Sequence, residues 1–209
     1  MVCTTCQRDP DGGPLCAACG AIQPFRPHAG LFEVVGLPRS AMVAPAALEE
    51  RYRDLSRKLH PDRFAQRGPA ERKLSLEWTT LLNEAYRTLK DPLRRATYLL
   101  KLHGVDVERE SGKSAMQRLP PEFLEEVLDL REALEGAKAA KDLDRVRAMA
   151  RQVEGRAADV QARLADALGA LEAGGGKPAL DRAGDALAAL RYFTRFQEEV
   201  EAIEMAALE

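Results

Sequence analysis

Apolar residues recur every three or four positions through most of the chain beyond residue 44, and this spacing restricts the fold to amphipathic helices. Ala, Leu, Glu and Arg dominate the composition, so there is little from which strands could be built. The predicted helices cover residues 45–60, 69–90, 94–102, 120–134, 143–171 and 178–208. A shorter apolar element runs from Leu31 to Leu37, before Pro38. We therefore predict an all-α protein.

All four cysteines lie within the first 19 residues, as two Cys-x-x-Cys pairs. Four thiolates at the corners of a tetrahedron are the ligand set that Zn²⁺ prefers, and with no open position such a metal is structural. The predicted zinc ligands are Cys3, Cys6, Cys16 and Cys19. Iron in the same cage and a pair of disulfides are the alternatives. The turn-forming residues 9–14 would bring the pairs together, Gly20 can supply a positive φ, and His28 is interpreted as an ordinary linker residue.

Charge is distributed unevenly, although the net charge is only −2. Residues 39–104 hold 14 Lys or Arg against 8 Asp or Glu, whereas residues 105–209 hold 15 against 22. This contrast indicates two modules with different partners, and nucleic-acid binding by the basic module is a rival interpretation. No apolar stretch approaches the roughly 20 residues that span a bilayer, and no secretory signal opens the chain, so we expect a cytoplasmic location.

The tripeptide His60-Pro61-Asp62, called the HPD corner below, separates the first two long helices. Pro61 ends the first helix because the residue before a proline resists the helical conformation. Basic residues on the exposed face of that helix and just after the corner are Arg51, Arg53, Arg57, Lys58 and Arg63. No nucleophile stands beside the corner at catalytic spacing, so we do not expect an enzyme. On its own, the tripeptide is best interpreted as an ordinary turn.

The residues that flank the HPD corner resemble the J-domain family. The segments 52–64 and 83–92 match the two long helices of that family, and Arg95-Ala96-x-Tyr98 matches their exit. The resemblance implies a helical hairpin that docks on a DnaK-type (heat-shock 70 family) chaperone and stimulates its ATP hydrolysis. The implied chaperone-binding residues are His60, Pro61, Asp62, Arg51, Arg53, Arg57, Lys58 and Arg63. Their basic side chains would face an acidic surface of the chaperone.

Beyond the hairpin, the chain is similar to the HscB subfamily, whose members serve iron–sulfur cluster assembly. The runs 95–104, 123–132 and 190–193 carry this resemblance. Most other J proteins follow the hairpin with a Gly/Phe-rich linker and β-rich client-binding domains, and this sequence has neither. The resemblance implies an L-shaped molecule whose C-terminal three-helix bundle binds the iron–sulfur cluster scaffold protein.

The implied scaffold-binding residues lie on the first and last helices of the bundle. They are Leu124, Glu125, Leu128, Asp129, Glu132, Arg191 and Tyr192. Glu125 departs from the subfamily, in which a second apolar residue usually follows the first leucine, and a carboxylate enters a dry patch only at a high cost. Burial in the bundle core is the alternative for Leu124 and Leu128, because periodicity alone does not say which face points outward.

We predict three modules: a four-Cys zinc knuckle over residues 1–24, a J domain over 28–104 and a three-helix bundle over 116–209. Residues 23–27 contain two prolines and are predicted to be a linker. We expect a monomer that binds a DnaK-type chaperone and the cluster scaffold, without nucleic acid or membrane. The rival function is a general J-domain co-chaperone that delivers unfolded clients.

Overall fold

The computed structural model describes residues 2–10, 13–25, 30–105 and 119–208. His28 and the first residues predicted for the second and third modules, 28 and 116, lie outside the described residues. Within the described ranges, the chain forms eight helices and one isolated antiparallel bridge between Leu15 and Ile22, with no strand ladder. The all-α prediction is therefore confirmed. None of the described helices is long and apolar enough to cross a membrane.

Proline or glycine stands at the start of most helices. The helices are α1 Leu31–Val35, α2 Pro45–Leu59, α3 Pro61–Phe64, α4 Pro69–Lys90, α5 Pro92–Leu102, α6 Pro121–Ala139, α7 Leu143–Glu172 and α8 Gly176–Ala206. The sequence predicted no helix after Pro61, and α3 corrects this. Pro61 both ends α2 and opens α3. A proline can open a helix because the N–H that it lacks would have no partner in the first turn.

The chain divides into two compact units, Met1–Pro92 and Leu93–Glu209. In the N-terminal unit, α2 and α4 pack as an antiparallel hairpin, and α1 and α3 cover α4. Its largest buried apolar side chains are Phe32, Val35, Leu48, Leu59, Phe64, Trp78, Leu82 and Leu89. Removing a side chain of this size from water stabilises the unit by about 1.5–3 kcal/mol.

Residues 23–25 are not a free linker, which corrects the prediction for this segment. Gln23 is buried, its backbone carbonyl accepts a 2.7 Å hydrogen bond from Trp78 Nε1, and the Phe25 ring meets the Trp78 ring edge to face at 5.2 Å. The segment packs against α4 because an indole N–H that is buried needs an acceptor. The rest of the predicted linker, residues 26 and 27, lies outside the described residues.

The C-terminal unit contains the predicted three-helix bundle of α6, α7 and α8. Helices α7 and α8 share the longest interface, and α6 packs against α7. The core residues include Val127, Leu134, Val153, Leu187 and Phe193. Phe193 contacts the Phe123 ring at 5.6 Å, so α6 also touches α8. Apolar residues recur every three or four positions along each helix. This period identified the core faces because each helix buries one face only.

Candidate functional site

The HPD corner is held by its own short hydrogen-bonded turn. His60 Nδ1 accepts a hydrogen bond from the backbone N–H of Asp62 at 3.3 Å, and Pro61 is the first residue of α3. The Asp62 side chain is 90% exposed and its carboxylate Oδ2 lies 3.5 Å from His60 Nδ1, whose ring is 56% exposed. The corner therefore presents an imidazole and a carboxylate to solvent from a backbone that a proline ring makes stiff.

The base of the corner is fixed to α4 by a buried serine. The Leu59 carbonyl is at the end of α2, and the Arg63 N–H that would bond to it in a continuous helix donates to His60 O instead. Ser75 Oγ donates to the Leu59 carbonyl at 2.7 Å, and both residues are fully buried. Since an unpaired buried carbonyl costs about 1–3 kcal/mol, this bond holds the end of α2 in place.

The basic residues near the corner differ in how they are engaged. Arg53 pairs with Glu49 and Lys58 pairs with Asp54 one turn earlier on α2, where the Lys58 hydrogen bond lowers the pKa of the Asp54 carboxyl. Within the described part of the chain, Arg51, Arg57 and Arg63 are exposed and form no ion pair. Ser56, Arg57, His60 and Arg63 line a shallow depression beside the corner. A carboxylate on a partner would find two guanidinium groups there.

Two tyrosines on facing helices hold the hairpin together above the corner. Tyr52 of α2 donates its hydroxyl to Asn83 Oδ1 at 2.8 Å and stacks on Tyr86 with ring centroids 4.1 Å apart. These are the motif positions that carried the sequence resemblance, and the structure gives them packing roles. In contrast, the side chains of His60 and Asp62 are largely exposed to solvent.

The four cysteine sulfurs converge on one point. All four lie within 4.8 Å of one another, with Cys3 and Cys19 3.6 Å apart and Cys6 and Cys16 3.7 Å apart. Sulfurs that bind one zinc ion at about 2.3 Å in a tetrahedron lie about 3.8 Å apart. A disulfide would need about 2.05 Å, and the cysteines are free thiols, so the structure does not support the disulfide alternative. The arrangement is compatible with a metal site.

The pKa values of the cysteine thiols depend on nearby backbone donors and on the neighbouring sulfurs. Backbone N–H donation at Cys6 lowers the pKa of Cys3 to about 6, and donation at Arg8 lowers the pKa of Cys6. The Ala21 amide favours the Cys19 thiolate, but local desolvation of its sulfur and the neighbouring sulfurs outweigh it and raise the pKa of Cys19 to about 12. Four thiolates so close together repel one another, and a bound cation removes that repulsion.

Each Cys-x-x-Cys pair is followed by a residue in the left-handed region. Gln7 has φ 62° and Gly20 has φ 72°, and their backbone N–H groups donate to the Cys3 and Cys16 carbonyls at 3.0 and 2.8 Å. The two knuckles therefore have the same backbone turn. The positive φ predicted at Gly20 is present, whereas the one at Gln7 gave no sequence signal because glutamine rarely adopts it.

Five of the seven residues predicted to bind a scaffold lie on α6, and none of these five is fully buried. Leu128 is 60% exposed and Leu124 is half-buried, whereas Val127 and Leu130 are buried. Glu125, Asp129 and Glu132 are exposed beside the two leucines. The core alternative for Leu128 is therefore wrong, and an apolar strip of Leu124 and Leu128 with a carboxylate border remains on the surface.

Arg191 and Tyr192, the predicted scaffold-binding residues of α8, both form hydrogen bonds within the C-terminal unit. Tyr192 donates its hydroxyl to the Val127 carbonyl at 3.1 Å, which joins α8 to α6, and burial raises the pKa of its phenol. Arg191 Nη2 donates to Thr97 Oγ1 of α5 at 3.3 Å. Both side chains are half-buried, so only part of each is available to a partner.

Sequence reasoning missed two residues that support these sites, Ser75 and Gln23. Both are buried polar residues that bond to groups far away in the sequence. Ser75 bonds to Leu59, and Gln23 bonds to Cys3 and Trp78. Ser75 stands on the apolar face of α4, which was a detectable signal. Gln23 had none, because a glutamine beside two prolines is typical of a loop.

Comparison with known proteins identifies both units. The family profile of the DnaJ domain matches residues 30–98, and that of the HSCB C-terminal oligomerisation domain matches residues 119–201. A co-chaperone protein HscB homolog from Ralstonia nicotianae is 40% identical over 174 residues, which is 83% of this chain and 93% of that protein. The homolog from Cupriavidus taiwanensis is 41% identical, with the same shares covered.

Solved structures agree with the sequence relatives. The crystal structure of the human co-chaperone protein HscB superposes with a TM-score of 0.81 at 28% identity, covering 99% of this chain and 100% of that one. The chaperone HscB from Vibrio cholerae gives a TM-score of 0.69 at 31% identity, covering 85% of this chain and 99% of that one.

Proposed function

The chain belongs to the HscB family of J-domain co-chaperones, and on this premise we propose that it stimulates ATP hydrolysis by a DnaK-type chaperone while binding an iron–sulfur cluster scaffold protein. The observation that carries the proposal is the HPD corner. Its imidazole and carboxylate are exposed, yet Ser75 and the His60 cap fix the backbone beneath them. A turn that only connected two helices would not need such support.

The geometry favours a chaperone contact made first by charge and then by the corner. Arg51, Arg57 and Arg63 are exposed and free of internal ion pairs among the described residues, so they are available to an acidic surface. Such charges mainly raise the association rate and lose effect with salt. The Asp62 carboxylate then meets a donor on the chaperone. The protein is thus an activator and not itself an ATPase.

The scaffold contact is proposed for the apolar strip of α6. Exposed leucines are stabilised on moving from water into an interface, and the surrounding carboxylates Glu125, Asp129 and Glu132 would form its polar border. Holding the scaffold and the chaperone on one chain raises their effective concentration, so modest individual affinities suffice. ATP hydrolysis would then lock the chaperone onto the cluster-loaded scaffold and promote cluster transfer.

The four-cysteine site is proposed to bind one structural Zn²⁺ through Cys3, Cys6, Cys16 and Cys19. The sulfur separations suit a tetrahedral ion, and an all-thiolate set leaves no position for a reacting water. When bound, the ion would supply positive charge that neutralises the clustered thiolates. Iron in the same cage is distinguished by its visible absorption, which zinc lacks.

The decisive experiment is steady-state ATP hydrolysis by the cognate DnaK-type chaperone, with and without the scaffold, as this protein is titrated. We expect stimulation that the scaffold increases synergistically. Asp62→Asn should raise the half-maximal concentration by at least about tenfold, since losing a desolvated charge contact costs about 2 kcal/mol or more. Asp159→Asn, an exposed aspartate of α7, is the matched control.

Scaffold binding is measured separately by calorimetry. Leu128→Ser should weaken it by about tenfold, whereas Met205→Ser, which removes an equally exposed apolar side chain at the end of α8, should not.

If Asp62→Asn stimulates as well as the wild type, the proposed chaperone contact is wrong. If stimulation occurs without any scaffold effect and the protein suppresses aggregation of unrelated clients, the general co-chaperone alternative is correct.

A further inference from the structure

Gln23 connects the four-cysteine site to the helical hairpin. Its side-chain Nε2 donates to Cys3 Sγ at 3.3 Å and to the Ala21 carbonyl at 2.8 Å. Its backbone carbonyl accepts the 2.7 Å hydrogen bond from Trp78 Nε1 on α4. Gln23 is only 5% exposed, so water cannot replace these partners without local opening. One residue thus touches a metal-ligand candidate with its side chain and the hairpin with its backbone.

The side-chain bonds of Gln23 depend on where Cys3 Sγ stands. A carboxamide nitrogen has two donors, and both are used here, one of them on that sulfur. A bound ion fixes the sulfur, because all four ligands must point at one centre. Without an ion, the four sulfurs repel or take up protons, and the acceptor that orients Gln23 moves. Donors that bond to metal ligands also orient those ligands, so the positions of the two groups are linked.

Trp78 is the residue of α4 that Gln23 contacts. It is 6% exposed on α4, its indole N–H has Gln23 O as acceptor, and the Phe25 ring covers it edge to face. Three residues earlier on the same helix, Ser75 anchors the base of the HPD corner. Losing the Gln23 carbonyl would leave a buried indole N–H unpaired, which destabilises α4 beside that anchor.

We propose that Gln23 is a positioning residue that makes the stability of the hairpin depend on occupancy of the four-cysteine site. The site is then a switch for the N-terminal unit as well as a knuckle that closes the start of the chain. Metal loss loosens Gln23, then Trp78, then α4. This inference rests on the proposed metal site but not on the proposed co-chaperone activity.

The test uses the full-length chain and needs no activity assay. Trp78 is the only tryptophan in the sequence, so tryptophan fluorescence reports the surroundings of this one indole. Metal content is measured by mass spectrometry, and thermal unfolding is followed by fluorescence and circular dichroism, before and after chelation. In the wild type, chelation should red-shift the Trp78 emission and lower the unfolding midpoint of the N-terminal unit by at least about 5 °C.

Two variants isolate the connection. Gln23→Leu keeps the four cysteines and should still bind one ion, but the difference in midpoint between loaded and metal-free protein should fall by at least half. Trp78→Phe removes the N–H and keeps an aromatic ring. It should reduce the same difference in midpoint, which is followed by circular dichroism in this variant. In the double variant, the difference in midpoint between loaded and metal-free protein should fall no further than in either single variant. This is expected when two residues act through one contact.

The control is Gln152→Leu, an exposed glutamine of α7, which should retain the full metal response. The inference is overturned if Gln23→Leu retains it as well, or if metal loss leaves the Trp78 emission unchanged. A wild-type protein that binds no metal would refute the metal site itself, and the inference with it. These outcomes are distinguished by the metal content, independently of any effect on a chaperone.

Discussion

Substituting Ser75 by alanine should destabilise the N-terminal unit specifically at the HPD corner. The Ser75 hydroxyl donates to the Leu59 carbonyl at 2.7 Å in a fully buried environment. Thr79 Oγ1 lies 3.4 Å from the same carbonyl, but its single proton is already directed to the Ser75 carbonyl at 2.8 Å. The Leu59 carbonyl would therefore be left without a good donor.

An unsatisfied buried carbonyl costs about 1–3 kcal/mol. Alanine is a better helix former than serine by about 0.5 kcal/mol, which offsets part of that loss in the middle of α4. We therefore expect Ser75→Ala to lower the free energy of unfolding of the N-terminal unit by about 1–2 kcal/mol. Against a typical total of about 5–15 kcal/mol, this is a large effect for one hydroxyl.

Urea unfolding followed by Trp78 fluorescence measures this loss, since the denaturation midpoint shifts while the slope stays constant. Thr80→Ala is the matched control, because Thr80 Oγ1 bonds to the Leu76 carbonyl at an exposed site of the same helix. That variant gains helix propensity too, and should lie within about 0.5 kcal/mol of the wild type. Amide exchange at Asp62 and Arg63 should accelerate in Ser75→Ala only.

The reasoning would be refuted if Ser75→Ala and Thr80→Ala unfolded at the same urea concentration. Unchanged exchange at Asp62 and Arg63, despite a lower stability, would show instead that Ser75 supports the hairpin generally and not the corner. In that case the fixed backbone of the corner would have to come from Pro61 and the His60 cap alone.

Three further predictions concern other contacts. Tyr192→Phe should lower the stability of the C-terminal unit by about 1 kcal/mol at pH 7, measured by dichroism in urea. Because burial raises the Tyr192 pKa, the wild type should also lose stability as the pH rises above about 10, and the variant should lose less. Gln7→Gly should raise the unfolding midpoint of the metal-loaded protein, by an amount equivalent to about 0.5–1 kcal/mol, since glycine adopts φ 62° without strain. The Lys58 hydrogen bond lowers the Asp54 pKa, so its contribution is present above pH about 4 and lost in more acidic solution. Solvent screening limits it to a few tenths of a kcal/mol, and Asp54→Asn should remove that pH dependence.

Much of the fold could be predicted because helices are local. The spacing of apolar residues and the position of prolines depend only on neighbours in the chain, and they placed α4 at Pro69–Lys90 as the structure has it. The short helix α3 was missed because four residues are too few to show a period. The approach of the cysteine sulfurs could be predicted equally well, because Cys-x-x-Cys spacing is local and lets both sulfurs of a pair point the same way.

The resemblance to J domains also indicated the HPD corner, but the sequence did not say what holds it. That information lies in contacts between residues distant along the chain, such as Ser75 with Leu59 and Trp78 with Gln23. Neither pair follows a period or a spacing. A buried polar side chain is recognised only when its partner is seen, because its hydrogen bond is what makes burial tolerable.

The sequence by itself determined the longer helices, the grouping of the four cysteines and the family to which the chain belongs. Only the tertiary structure decided which leucines of α6 face outward and that the segment after the cysteines packs on α4. A helical period defines faces but not their direction, and Leu128 and Leu130 differ by only two positions while one is exposed and the other buried. Which face is covered depends on the helices that pack against it, and that is a property of the whole unit.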